Sequence, residues 1–122
     1  MKTTNPFRRL AAFLVTFYAG RIYDRARKRA DRRHEREKTT IYVIIDPMDS
    51  RGLATCNRKE FRRIKEILRK RDPSYSVLTM KRGAYYHTAD AGGNNPMRQS
   101  DISFRRIAFI REALSRAGLF PG

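Results

Sequence analysis

The segment Thr39–Ile45, TTIYVII, decides the fold class of this chain. It is rich in β-branched and aromatic residues, it is too short for a stable helix, and Asp46-Pro47 ends it. Its nearly continuous apolar character predicts a central β-strand that is covered on both faces. After a turn at residues 48–52, Leu53–Cys56 predicts a short second strand that forms a hairpin with the first.

A long helix is predicted before this hairpin. Asn5 is a suitable cap, Pro6 suits the first helical position, and helical periodicity continues to about Lys38. A straight helix of that length spans about 50 Å, so we expect it either to project from the rest of the chain or to bend at Gly20. The expected apolar or small face comprises Phe7, Leu10, Leu14, Phe17, Tyr18, Ile22, Ala26 and Ala30.

The segment after the hairpin predicts a second, shorter helix. Asn57 and Glu60 have the spacing of a capping box, and Asp72-Pro73 would end the helix after about Lys70. The residues that this helix is expected to bury are Phe61, Ile64, Ile67 and Leu68.

The C-terminal part predicts a second hairpin and a third helix. Tyr75–Lys81 alternates in polarity, and a turn at Arg82-Gly83 would lead it into a second arm, Ala84–Thr88. After a loop rich in Gly and Asn, Ser100 is expected to cap a helix that ends in a Schellman motif at Gly118.

Together these elements predict an α+β fold in two parts. Residues 1–38 form a long basic amphipathic helix, and residues 39–122 form a small α+β domain. In that domain, a small antiparallel sheet of two hairpins packs with two helices.

Charge is the strongest functional signal in the sequence. The 122 residues include 28 Lys plus Arg and 12 Asp plus Glu, which gives a net charge of +16, and 21 of the 28 cations are Arg. Both predicted parts, residues 1–38 and 39–122, have a net charge of +8. Solubility needs a net charge of only about 2–8, so we expect a polyanionic partner, either nucleic acid or anionic lipid.

Rows of cations at helical spacing indicate where such a partner would bind. The second helix carries Arg58, Arg62, Lys65 and Arg69, and the long helix carries Arg21, Arg25, Lys28 and Arg32. Aligned cations repel one another, and a phosphate backbone would relieve that repulsion. Tyr86, beside Lys81 and Arg82, is expected to stack on an unpaired base.

The first functional interpretation is a non-enzymatic protein that binds DNA or RNA mainly through phosphates. Such a small, very basic chain suits a phage or mobile-element accessory protein, in the cytoplasm or in a virion. No nucleotide-binding glycine motif or zinc-ligand spacing occurs in the sequence, so no cofactor or metal is expected.

The alternative interpretation is a scaffold or assembly protein that uses its N-terminal helix. Residues 10–19, LAAFLVTFYA, rise only about 15 Å as a helix, too short to span a bilayer. The side chains predicted to contact a partner protein, a second copy or an anionic membrane are Leu10, Phe13, Leu14, Phe17 and Tyr18.

A third interpretation is a metal-dependent nuclease. Asp46 and Asp49 end the best-predicted strand, where carboxylates often bind divalent cations. Asp46, the basic helix after it and the Tyr75-Ser76-Val77 strand together resemble the ferredoxin-like nucleases of CRISPR adaptation over about 40 residues. The resemblance departs at Leu53–Cys56 and at the long N-terminal helix, so no site residue is carried over.

Overall fold

The computed structural model describes residues 6–71 and 81–119. Its elements in chain order are helix α1 (Pro6–Glu37), strand β1 (Tyr42–Asp46), strand β2 (Asp49–Cys56), helix α2 (Arg58–Arg71), strand β3 (Tyr86–His87) and helix α3 (Gln99–Arg116). This is the predicted α+β class, with a long N-terminal helix, an antiparallel sheet and further helices. Most of the strand predicted at 75–81 lies outside the described residues.

The described strands form one antiparallel sheet in the order β2-β1-β3. β1 and β2 make the predicted hairpin with a tighter turn than expected, because Asp46 pairs with Asp49 and only two residues connect the strands. The prediction of a second hairpin is wrong. Residues 81–83 are helical, so the predicted turn does not form there, and β3 pairs with β1 instead.

Side chains along β1 alternate between the two faces of the sheet and divide the core into two clusters. Ile41 and Val43 pack with residues of α1 and α3, whereas Tyr42 and Ile44 pack with Phe61 of α2. The described part of the chain therefore has three layers, with α1 and α3 on one face of the sheet and α2 on the other. The central strand is covered on both faces, as its apolar sequence predicts.

The long helix α1 packs against the sheet and α3 mainly through small side chains. Its buried residues are Ala19, Gly20, Tyr23, Ala26 and Ala30. The helix is continuous through Gly20, where a Cβ would lie 2.6 Å from the guanidinium of Arg106. Gly20 therefore allows close packing of α3. The large members of the predicted apolar face are exposed instead of buried: Phe7, Leu10, Leu14, Phe17, Tyr18 and Ile22.

A capping box starts α2, as predicted. The side-chain oxygen of Asn57 accepts a hydrogen bond from the Glu60 N–H at 2.9 Å, and the Glu60 carboxylate accepts one from the Asn57 N–H at 3.0 Å. Phe61 is fully buried and Ile64 packs beside it. Ile67 is exposed, contrary to prediction, because it lies about 120° around the helix axis from Phe61.

The sequence predicts the C-terminal end of α3 correctly but not its N-terminal end. The helix begins at Gln99, and its N-cap, Arg98, makes no side-chain cap hydrogen bond, so the prediction of a Ser100 cap is wrong. The predicted Schellman motif is confirmed. The N–H groups of Gly118 and Leu119 bond to carbonyls of the last turn, and Gly118 has a φ of 68°.

Candidate nucleic-acid interface

The row of cations on α2 forms an exposed surface, with one acid, the exposed Glu66, beside it on the helix. We call Arg58, Arg62, Lys65 and Arg69 the α2 stripe; all are exposed except Lys65, which is half-buried. Within the described part of the chain, no carboxylate forms an ion pair with any of them. Neighbours in the row lie about 5–6 Å apart and repel one another in the free protein.

The sheet and the capping box position the α2 stripe. Phe61 anchors α2 against Tyr42 and Ile44, and the box sets where the first turn begins. Burial raises the pKa of the Tyr42 hydroxyl, and the positive charge of nearby Arg58 partly opposes that rise. The first cation of the stripe therefore lies close to the face of the sheet.

A second row of cations lies on the other outer layer of the molecule. We call Arg21, Arg25, Lys28 and Arg32 the α1 stripe; all four are exposed. A helix turns about 100° per residue, which places the stripe on the side of α1 opposite its buried alanines. No carboxylate among residues 6–71 and 81–119 forms an ion pair with it. The sheet separates the two stripes, so they do not form one continuous footprint.

The predicted pair Lys81 and Arg82 is exposed at the β3 edge of the sheet. Arg105 of α3 donates a 2.6 Å hydrogen bond to the Arg82 carbonyl. Two residues further along the chain, Ala84 packs with Phe61 on the α2 side. The pair therefore lies between the α2 layer and α3, at the edge of the molecule rather than on the α1 stripe.

The structure contradicts the assignment of Tyr86 as a base-stacking residue, because only 8% of it is exposed. Its hydroxyl donates a 2.6 Å hydrogen bond to Asp31, and the Arg27 guanidinium lies 5.0 Å from its ring centre. Burial and the hydrogen bond to Asp31 raise the pKa of Tyr86 to about 12. Tyr86 is thus a core residue that joins β3 to α1.

Two arginines of α1 stabilise the edge of the sheet. β2 is an edge strand, and the side chains of Arg29 and Arg33 each donate a 3.0 Å hydrogen bond, to the carbonyls of Leu53 and Thr55 respectively. Capped carbonyls cannot pair with a further strand. These guanidiniums have a role in the fold, which distinguishes them from the α1 stripe.

A cationic groove beside β2 was not among the predicted sites. It is a cavity of about 500 Å³ lined by Arg29, Arg32, Arg33, Glu35, Arg36 and Thr55. Arg32 also ends the α1 stripe, so the groove continues that stripe toward the sheet. Its four arginines are spaced at i, i+3, i+4 and i+7, which places them on one side of the helix. This spacing is the sequence feature from which the groove could have been predicted.

Large apolar side chains precede the α1 stripe along the same helix. We call Leu10, Phe13, Leu14, Phe17 and Tyr18 the α1 apolar face; their exposed fractions range from 42% at Leu14 to 67% at Phe13. Leu10, Phe13, Leu14 and Phe17 follow the helical period of the stripe and face away from the core. Tyr18 lies at the flank of the helix, where it lines a cavity of about 380 Å³ with Phe109 of α3. No helix within residues 6–71 and 81–119 is long and apolar enough to cross a membrane.

The carboxylates proposed for a nuclease site take part in the hairpin turn. Asp46 accepts a hydrogen bond from the Met48 N–H, and Asp49 accepts one from the Arg51 N–H, each two residues further along the chain. This is the usual chemistry of Asp in turns. Among the described residues, no group of three or more His, Cys, Asp or Glu side chains is placed to hold a metal ion.

Cys56 has the properties of a core residue. It is 1% exposed and packs with Phe61 and Tyr42. Burial raises the pKa of its thiol to about 11. At neutral pH the thiol is protonated and closed to solvent, so it does not provide a reactive thiolate.

No known protein family, curated protein or solved structure matches the chain. The resemblance to CRISPR-adaptation nucleases thus has no support beyond the residues that suggest it. Within the described residues, the surfaces with distinctive chemistry are the two cationic stripes, the cationic groove beside β2 and the α1 apolar face.

Proposed function

We propose that this protein binds nucleic acid through phosphate contacts, with the α2 stripe as the core of the interface. The supporting observation is a row of four cations on one helix, with no carboxylate ion pair in the described part of the chain. Binding would replace the small counterions around these cations with phosphates, and counterion release favours association. The net charge of +16 adds a long-range attraction for polyanions.

The chemistry of the α2 stripe favours phosphates over bases. Three of its four members are Arg, whose planar guanidinium can hold two phosphate oxygens at once. Tyr86 is buried and supplies no stacking surface. We therefore expect weak sequence preference on DNA or RNA. A non-enzymatic accessory protein of a phage or mobile element, in the cytoplasm or in a virion, suits this chemistry.

The two stripes have to be tested separately. One short segment of nucleic acid cannot cover both, because the sheet and its covering helices lie between them. Lys81 and Arg82, at the β3 edge beside the α2 layer, would extend the α2 stripe rather than the α1 stripe.

The main test reverses two charges in the middle of the stripe, Arg62→Glu with Lys65→Glu. If about four phosphates are neutralised, the wild-type affinity should fall roughly 100-fold between 50 and 200 mM salt. In the variant, we expect at least a tenfold loss at low salt and a log–log salt slope that is shallower by about 2. Fluorescence anisotropy with duplex DNA, single-stranded DNA and RNA measures both quantities.

A matched control changes the net charge equally on another layer. Arg98→Glu with Arg111→Glu alters two exposed arginines, at the start of α3 and on it, and we expect less than about a threefold loss because distant charges are screened. Equal losses of affinity in the two variants would show that net charge alone drives binding. The α2 stripe would then not be the nucleic-acid interface. Absence of binding to all three probes at 50 mM salt would overturn the proposal.

A further inference from the structure

The side of α1 that faces away from the sheet differs in chemistry from the α2 stripe. The α1 apolar face and the α1 stripe follow each other along this side, which we call the outer side of α1. We propose that the outer side of α1 docks on an anionic membrane surface. The α1 apolar face would enter the lipid interface, and the α1 stripe would lie against the headgroups.

The first observation that supports docking is apolar exposure. Five large apolar side chains within about two and a half turns of helix remain at least 42% exposed. On α3, in the same layer, Phe104 and Ile107 are also exposed, at 68% and 52%. Soluble monomers seldom leave large contiguous apolar patches in water, and such patches mark binding surfaces.

The second observation is the sign of the charge beside these side chains. Asp24 is ion-paired with Arg106 at 3.0 Å, and the Asp31 carboxylate accepts a hydrogen bond from Tyr86; within residues 6–71 and 81–119 neither forms an ion pair with the stripe. Glu35 is the remaining acid of α1 on this side and lies beyond the last stripe residue. The α1 stripe therefore presents a positive surface, and each cation near an anionic bilayer adds attraction.

The geometry fits a helix that lies in the plane of the interface. Residues 10–18 rise only about 12 Å, and the helix is not apolar enough to span a bilayer. Interfacial helices bury their apolar side chains about 5–10 Å deep while cations remain at headgroup level. Arg21 already lies over the Phe17 ring, 5.7 Å from its centre, which joins the apolar and cationic parts of the surface.

Other occupants fit these observations less well. A second copy of the chain carries the same net charge of +16, so the two copies would repel each other. A phosphate backbone would pair with the α1 stripe but would leave the Phe and Leu side chains in water. An anionic bilayer satisfies both parts of the surface at once.

The test is vesicle co-flotation of the full chain at 150 mM salt. We expect binding to phosphatidylcholine vesicles that contain about one third phosphatidylglycerol, and little binding to pure phosphatidylcholine. Phe13→Ser with Phe17→Ser should weaken binding at least about tenfold, because the variant lacks two rings that would be buried in the lipid interface. Met48→Ser with Ile67→Ser is the matched control and should change it less than about twofold, since both residues are exposed outside α1.

A second measurement tests directly whether the α1 apolar face enters the lipid interface. The chain contains no Trp, so Phe17→Trp introduces a single indole whose emission should shift to the blue when anionic vesicles are added. Met48→Trp, at the hairpin turn, should show no shift. Circular dichroism confirms that each variant is folded.

Three results would overturn the proposal. The first is undiminished vesicle binding by the Phe13→Ser, Phe17→Ser variant, which would show purely electrostatic attraction. The second is a wild-type dimer in light scattering that this variant dissociates, since the occupant would then be a second copy. The third is a monomer that binds neither vesicle type, which would leave an acidic protein as the partner. None of these results depends on nucleic-acid binding by the α2 stripe.

Discussion

The α2 stripe and the outer side of α1 each present four cations at helical spacing, yet their surroundings differ. Around the α2 stripe, α2 exposes further charged residues such as Lys59, Arg63 and Lys70. The α1 stripe instead continues into a row of exposed Phe, Leu and Tyr side chains. Charge attracts a polyanion to either row, but only α1 adds apolar area that a lipid interface can bury. Neighbouring side chains, rather than the cations themselves, therefore distinguish the partners expected for the two rows.

The two helices also attach to the sheet in different ways. α1 packs through Ala19, Ala26 and Ala30, so its backbone approaches the sheet closely and its largest apolar side chains remain outside. α2 attaches through the fully buried Phe61 and is aligned by its capping box. Substitutions that weaken these attachments should therefore act on one surface and spare the other.

The largest expected difference is between the unfolding free energies lost when a buried and an exposed phenylalanine are each replaced by Ala. Phe61→Ala removes the buried anchor of α2 and should cost about 3–5 kcal/mol of unfolding free energy. It should also weaken nucleic-acid binding, because the α2 stripe loses its support. Phe13→Ala, on the α1 apolar face, should change stability by less than about 0.5 kcal/mol. Urea unfolding measures both values, and similar midpoints for the two variants would contradict the assigned burial.

A smaller effect is expected at the start of α2. Asn57→Ala removes the side-chain cap of the Glu60 N–H and should cost about 1 kcal/mol. Vesicle binding should be unchanged, because the outer side of α1 is not involved. Lys59→Ala, an exposed substitution in the same turn, is the control and should be nearly neutral. A loss at Lys59 equal to that at Asn57 would show that the capping box does not contribute.

The smallest effect on stability is expected at Glu37, the last residue of α1, whose carboxylate accepts a hydrogen bond from the Asn57 side chain before α2. Hydrogen bonds from Arg33 and Asn57 lower the pKa of the Glu37 carboxyl. Because the folded pKa is below the unfolded value of about 4.3, ionised Glu37 stabilises the fold above that value. This contribution is lost as the pH falls through the folded pKa. Glu37→Gln should therefore cost at most about 1 kcal/mol at pH 7 and progressively less in acid.

Urea unfolding of the wild type and of Glu37→Gln at pH 7 and pH 3 tests this sign. The difference between the two proteins should be smaller at the lower pH, because the stabilisation by ionised Glu37 is lost progressively as the pH falls below the unfolded pKa. A difference that grows in acid would contradict the direction of the pKa shift. Vesicle binding at pH 7 should be the same for both proteins, because Glu37 is not part of the outer side of α1.

Several features that depend on neighbours in the chain were predicted well, although the Ser100 cap and the turn at Arg82-Gly83 were not. The capping box at Asn57 and Glu60 consists of backbone N–H groups that bond to side-chain oxygens, and the Schellman motif at Gly118 consists of backbone hydrogen bonds. Both join groups only a few residues apart, and both occur. The central strand was also evident, because β-branched and aromatic residues favour an extended chain. In each case, the residues that determine the feature are present in a single short segment.

Features that depend on distant partners were predicted less well. The sequence predicts that Tyr86 stacks on a base, but Tyr86 packs beneath Arg27 and bonds to Asp31, 55 residues away in the chain. β3 pairs with β1, whose residues are more than 40 positions away in the chain. The groove of arginines beside β2 likewise requires an edge strand and a helix to meet. Residue types alone do not specify which distant groups will be neighbours.

The sequence by itself determined the excess of Arg, the helical spacing of both cationic rows and the presence of large apolar residues near the N-terminus. Only the tertiary structure decided that the rows lie on opposite layers and that the apolar residues remain in water. The reason is that each helix has more than one side able to pack. Small alanines on one side of α1 and Phe61 on one side of α2 form the closest contacts with the sheet, and those contacts determine which side chains each helix leaves exposed.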